Sequence, residues 1–279
     1  MDAESFLKKI AHDLSREDIV FPTCFHITLK VRDLLRDPEI GIDKVATALL
    51  AEPVISAKLI RLANSAAMMP SGGGEVRDVK AAITRVGLKT VKSVSFSVAM
   101  EQLVRSKHMA AYTDLSKEIW EHSILTAALA RQLAKHSKRV KPDDAFFTGL
   151  VHDIGAFYLL FCASQDAELS GSRERIMELV VHWHDGIGSA LLDALGQQPE
   201  EMLQAVQDHE SPEPIKQLLS LSEILRAANR IANMHTRWHE QPTGYSVEEL
   251  QLPLDTEILQ GIIDEARGEV KELHASLSI

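Results

Sequence analysis

Apolar positions recur along this chain at helical spacing. From Pro53, whose fixed φ and missing N–H suit a first helical residue, Ile55, Leu59, Leu62 and Ala66 follow at intervals of four, three and four. That stripe leaves Lys58 and Arg61 on the other side, the pattern of an amphipathic helix. The breaker Pro70-Ser71-Gly72-Gly73-Gly74 follows, after which Val79, Ile83 and Val86 repeat the stripe until Gly87 offers a C-terminal cap. Val91, Val94 and Val98 predict a third helix. No segment alternates long enough to make a sheet, which argues against a βαβ architecture and for an all-α fold.

The polar stretch from Arg105 to Asp114 separates this group from a second helical group beginning near Leu115. Asp114 to His136 reads as one long helix, and Pro142-Asp143-Asp144 opens the next, which carries His152 and Asp153. The tail from Pro253 to Ile279 also reads helical. The expected organisation is an N-terminal helix over 1–16, an N-terminal helical lobe over 17–110, and a second helical lobe with C-terminal helices over 111–279.

Composition narrows the class. The 279 residues suffice for one large domain or two lobes, and a 5% aromatic share leaves the core to Ala and Leu, which favours helices. The net charge of -10 argues against direct nucleic-acid binding, because no basic stripe offsets phosphate repulsion; Arg85, Lys89 and Lys92 form a local basic group. Cys24 and Cys162 make neither a disulfide framework nor a zinc set, so a reducing cytoplasm is expected. The start Met1-Asp2-Ala3-Glu4-Ser5 lacks a basic and then apolar leader, and no uninterrupted apolar run reaches spanning length. Neither secretion nor a membrane is expected.

The glycine triplet lacks a Gly-Lys-Ser/Thr ending and follows a helix, so it reads as a flexible connection and not as a phosphate loop. No Gly-x-Ser-x-Gly turn is present, and neither cysteine has an adjacent base, so both read as packing residues. Histidine placement says more. His12, His26, His108, His136, His235, His239 and His274 sit among polar residues and read as surface. His122 follows Glu118 by four residues, which would turn both toward one ion. His152 and Asp153 lie in the apolar run from Phe147 to Gly155, where burial without partners is costly. His184, in Trp183-His184-Asp185-Gly186-Ile187-Gly188, and the triplet Asp208-His209-Glu210 complete the group. Imidazole and carboxylate ligands projecting into a helical bundle suit iron, manganese or zinc better than calcium. A buried polar network that sets helix register without metal would use the same residues.

Val151-His152-Asp153-Ile154-Gly155, with His122 upstream, resembles the HD superfamily of metal-dependent phosphohydrolases. The first half is similar to its HDOD branch: Phe21-Pro22-Thr23, Leu34-Leu35-Arg36-Asp37-Pro38-Glu39, Asp43-Lys44-Val45-Ala46, the run from Glu52 to Ala66, and Ile83-Thr84-Arg85-Val86-Gly87-Leu88. The segment Arg61-Leu62-Ala63-Asn64-Ser65 is the most specific piece, and the resemblance runs from about residue 17 to about residue 232. It implies an all-α HD-like bundle with an N-terminal helical lobe, in bacterial proteins tied to signalling and gene regulation, many of them without hydrolase activity.

By motif, the resemblance assigns His122, His152, Asp153, His184, Asp208 and His209 as ligands of a divalent metal (Fe, Mn or Zn), with Glu118 as a further acidic ligand. Three departures count against catalysis. Asn229, in Ala227-Ala228-Asn229-Arg230, stands where the enzymes have a closing aspartate, and Ala156 replaces a lysine of active members. Ser211-Pro212-Glu213-Pro214 follows Glu210 in place of the Gly-Tyr-Pro of cyclic di-GMP phosphodiesterases, which argues against that activity. The expectation is a noncatalytic signalling module whose pocket takes a metal, a nucleotide ligand or a partner signalling protein. The competing readings are a metal-dependent phosphohydrolase and a metal-free structural network.

Overall fold

The computed structural model describes residues 3–16, 26–35, 37, 39–65, 68, 74–137, 139–166, 169, 172–195, 198–236, 238 and 250–277. Among these, every regular element is helical, as the periodicity predicts. Phe21, Pro22, Thr23, Cys24, Arg36, Pro38, Ala66, the stretch from Pro70 to Gly73, and His239 lie outside the described residues, as does the side chain of His26. The chain divides into two compact units, Phe21–Leu103 with Gly268–Ile279, and Met1–Val20 with Val104–Arg267.

In the first of these units, α2 (His26–Leu35), α3 (Ile42–Leu50), α4 (Pro53–Ala63), α5 (Val79–Val86) and α6 (Leu88–Val104) supply a core that includes Val45, Leu49, Ile55, Leu59, Ile83 and Val94. Asp78 caps α5 by accepting the Ala81 N–H, and Gly87 ends it at φ 81°, a conformation glycine adopts without strain. Lys58 departs from its expected outward position. It is 1% exposed, and its Nζ donates to Glu101 Oε2 at 2.7 Å, the partner that a buried ammonium requires. Asn64 acts as a backbone surrogate: its amide donates to the Val76 carbonyl at 2.7 Å and its oxygen accepts the Val76 N–H at 2.8 Å. Arg85 reinforces the same junction through the carbonyls of Ala63 and Gly74.

The second unit contains α1 (Ala3–Ser15), a 3-10 turn (Lys107–Tyr112), α7 (Thr113–His136), α8 (Pro142–Val151), α9 (Ile154–Ser164), α10 (Arg173–Ala194), α11 (Glu200–Asp208), α12 (Leu221–Asn233) and the first part of α13 (Thr256–Leu277). α7 packs on α8 and α12, α9 on α10, and α11 on both α10 and α12. The stretch Pro142–Ser164 is long and apolar enough to cross a membrane by length and composition alone, but 89% of its apolar window is buried inside the protein. It is also not one helix. α8 stops at Val151 and α9 starts at Ile154, so His152 and Asp153 occupy the bend and not a helix interior as expected. The exposed histidines at 12, 108, 136 and 235 lie at the surface as expected.

Candidate metal centre

Four helices and one bend converge on a single carboxylate. His122 comes from the middle of α7, His152 and Asp153 from the α8–α9 bend, His184 from α10, His209 from the end of α11, and Asn229 from α12. Glycine makes the approach possible. A Cβ on Gly149 would lie 2.7 Å from Ala127 Cα on α7, and one on Gly155 would overlap the His184 carbonyl and sit 2.5 Å from Gly188 N on α10. His122, His152 and His184 are 0% exposed, and Asp153, His209 and Asn229 are 1% exposed.

The hydrogen bonds orient the rings. Nδ1 of His152, His184 and His209 donates to the carbonyl of Gly149, Val180 and Val206 at 2.7, 2.8 and 2.5 Å respectively. These bonds assign the ring hydrogen to Nδ1 and turn each Nε2 lone pair inward, the arrangement typical of metal-binding histidines. His122 is held from both sides: its Nδ1 lies 2.7 Å from Thr236 Oγ1, and its Nε2 donates to Asn229 Oδ1 at 2.8 Å, because an amide oxygen only accepts, with Thr126 Oγ1 3.3 Å away.

The inward atoms surround Asp153. His152 Nε2 is 3.2 Å and His122 Nε2 is 3.8 Å from Oδ2, while His209 Nε2 and His184 Nε2 are 3.5 and 3.6 Å from Oδ1. Both carboxylate oxygens and His152 Nε2 lack a hydrogen-bond partner, which deep burial would penalise if nothing else satisfied them. Two sets, His122 with His152 and Asp153, and Asp153 with His184 and His209, each bring their ligand atoms within 4.8 Å of one another. These residues could hold a divalent metal, and their nitrogen and carboxylate donors fit that role.

Charge inside the cluster is uneven. Burial pushes the His152 pKa down to about 3, helped by His209 and His122 and opposed by Asp153, so this ring stays neutral. Burial would raise the Asp153 pKa, but His152, His209, His122 and His184 together hold it well below the usual carboxylate range. Burial also lowers the His209 pKa, yet the interaction with Asp153 and the charge of Glu210 outweigh it and raise the value to about 9. Without metal, a proton on His209 balances Asp153.

Two expected ligands are elsewhere. Asp208 accepts from Gln204 Nε2 at 2.8 Å and lies 3.5 Å from Ser222 Oγ, because neighbouring helical residues point about 100° apart and His209 takes the inward direction. Glu118 is exposed although His122 is buried, since four residues leave an offset of about 40° around a helix. Glu210 lies where a carboxylate was expected from Asp208: its Oε1 is 3.6 Å from His209 Nε2 and 3.9 Å from His184 Nε2. Asn229 Nδ2 holds that oxygen at 3.0 Å. Glu210 was visible as the neighbour of His209, but nothing in the sequence ranked it above Asp208. Thr236 and Trp238 carried no signal at all.

The chain belongs to the HDOD family, whose domain matches residues 21–212. Among solved structures it is similar to a candidate metal-dependent phosphohydrolase from Shewanella amazonensis SB2B, at 25% identity and a TM-score of 0.72, covering 99% of both chains. An HDOD domain protein of unknown function from Geobacter sulfurreducens shares the fold, at 22% identity and a TM-score of 0.61, over 99% of this chain and 94% of that one. A candidate signal transduction protein from Marinobacter aquaeolei VT8 does so at 18% identity and a TM-score of 0.59, over 92% of this chain and 60% of that one. No curated protein matches significantly.

Proposed function

We propose that this protein is a bacterial, cytoplasmic HDOD regulator whose HD-type pocket holds a divalent metal, Fe, Mn or Zn, in a noncatalytic role. One observation carries the metal: the Nε2 atoms of His184 and His209 are 3.1 Å apart, each with its Nδ1 hydrogen already donated to the main chain. Without metal only a proton on His209 bridges this pair, and the Asp153 oxygens beside it keep no hydrogen-bond partner, a deficit that a divalent ion would remove. Occupancy of the pocket would tie α7, the α8–α9 bend, α10 and α11 together, so gain or loss of the ion biases how these helices pack. A nucleotide or a partner signalling protein is the ligand class that would read this state.

The noncatalytic reading rests on what the chain's own residues supply. Asn229 offers an amide oxygen and no charge, and Ala156 is 0% exposed within α9, with no amine to contribute. Elemental analysis and anomalous scattering on protein purified without chelator test the metal. Density among His122, His152, Asp153, His184 and His209, lost in Asp153→Asn with the fold intact, is the expected result. A metal-free wild type would sink the reading.

A second reading, a metal-dependent phosphohydrolase, is favoured by the full-length similarity to the Shewanella protein of that description. A divalent ion in either set would supply Lewis acidity. Turnover of a simple phosphoester by manganese- or iron-loaded protein, abolished by Asp153→Asn, would establish it against the noncatalytic reading.

A further inference from the structure

After α12 the chain turns back onto the cluster at once. The Thr236 N–H and hydroxyl both bond to the Ala232 carbonyl, at 3.0 and 2.9 Å, and this turn sets Thr236 Oγ1 2.7 Å from His122 Nδ1. Two residues further on, Trp238 is 2% exposed. Its ring lies edge-on to His184, with centroids 5.2 Å apart and planes at 83°, and to His122, at 6.2 Å and 70°. One indole therefore touches a member of each three-ligand set. Glu210, at 23% side-chain exposure, is the partly open member of the cluster, and its carboxylate would repel an approaching phosphoryl group.

We propose that Trp238, seated by the Thr236–His122 hydrogen bond, is a closure over the metal pocket, and that phosphoryl ligands and anionic chelators reach a bound ion only when this indole leaves. The proposal rests on the reading of the cluster as a metal site. Such a closure makes the ion slow to be drawn off by an anionic chelator and links entry of a phosphoryl ligand to displacement of the turn after α12. Local openings of this kind occur far more often than global unfolding, so the closure sets the exchange rate without governing the fold.

The experiment loads wild type, Trp238→Phe and Trp238→Ala with Mn²⁺, measures bound metal, and follows its removal by excess EDTA. Equal stoichiometry is expected, with removal at least about tenfold faster in Trp238→Ala and a smaller acceleration in Trp238→Phe. Circular dichroism checks the fold, and the milder Trp238→Phe carries the comparison if Trp238→Ala does not fold. Equal removal rates in all folded proteins would overturn the closure and leave the metal site standing. Absence of bound metal from every protein, wild type included, would overturn the metal reading and the closure with it.

Discussion

His184 Nε2 and His209 Nε2 face each other at 3.1 Å across the end of the Asp153 carboxylate. Two bare nitrogens at that distance repel, so something positive must lie between or beside them. In the metal-free protein that charge is the proton that the His209 pKa, raised to about 9, retains at neutral pH. A metal ion is the alternative occupant, and the two exclude each other.

Metal uptake by chelator-stripped protein therefore releases protons at pH 7. Because His209 is protonated below about 9, apparent affinity should rise with pH toward that value and fall in acid. Calorimetry in buffers of different ionisation enthalpy reads the released protons directly. Binding heats that do not depend on the buffer would contradict this assignment.

Asn229→Asp should separate metal binding from stability. The substitution restores a charge beside His122 but removes the N–H that holds Glu210 Oε1 at 3.0 Å, setting two carboxylates together. Stripped of metal, the variant should be less stable than wild type by about 1–3 kcal/mol. Metal titration should show affinity higher by about tenfold. Denaturant melts with and without added metal check both halves.

Two glycines near His184 should respond in opposite senses to alanine. At Gly155 the new methyl would meet the His184 carbonyl and the backbone of Gly188, so Gly155→Ala should cost about 3 kcal/mol or more and displace the helix that carries His184. At Gly186, exposed in the interior of α10, the methyl meets nothing within 4 Å. Gly186→Ala should stabilise by about 0.5–1 kcal/mol. Thermal melts of the two variants distinguish a close-approach glycine from an incidental one.

Cys162 should be a slow nucleophile. Burial pushes its thiol up to about 11 despite the hydrogen bond with Tyr158 and the charge of Lys9, and burial together with Cys162 raises the Tyr158 pKa as well. In a Cys24→Ser background, alkylation should be slow at pH 8 and accelerate toward pH 11. The neutral forms are favoured in the folded state, so their contribution to stability is complete below about 9 and is lost as pH rises through 11. Rapid labelling at neutral pH would show that the thiol is not held in this way.

Helical periodicity made much of the fold legible. The stripe of Ile55, Leu59 and Leu62 is buried, α5 stops at Gly87, and α7 runs almost where the polar boundaries place it. The pattern misread Lys58, because a charged residue beside an apolar stripe looks like surface until its partner, Glu101, is found far away in sequence. It also missed the bend at His152 and Asp153, since apolar residues on both sides of the pair carry no break signal. The specificity of Asn64 had no visible cause until its amide proved to bond Val76 on both sides.

The spacing of apolar residues is enough to establish a helical protein, and the resemblance of its motifs to the HDOD family is what marks His122, His152, Asp153, His184 and His209 as residues of one pocket. Which carboxylate joins them is a different kind of question. Asp208, Glu118 and Glu210 are equivalent acids in the sequence, and the rotation of α7 and α11 against their neighbours selects Glu210 and turns the other two away. Tertiary packing alone brings Thr236 and Trp238 onto the cluster, because the path of the chain after α12 depends on contacts with helices more than fifty residues earlier in the sequence.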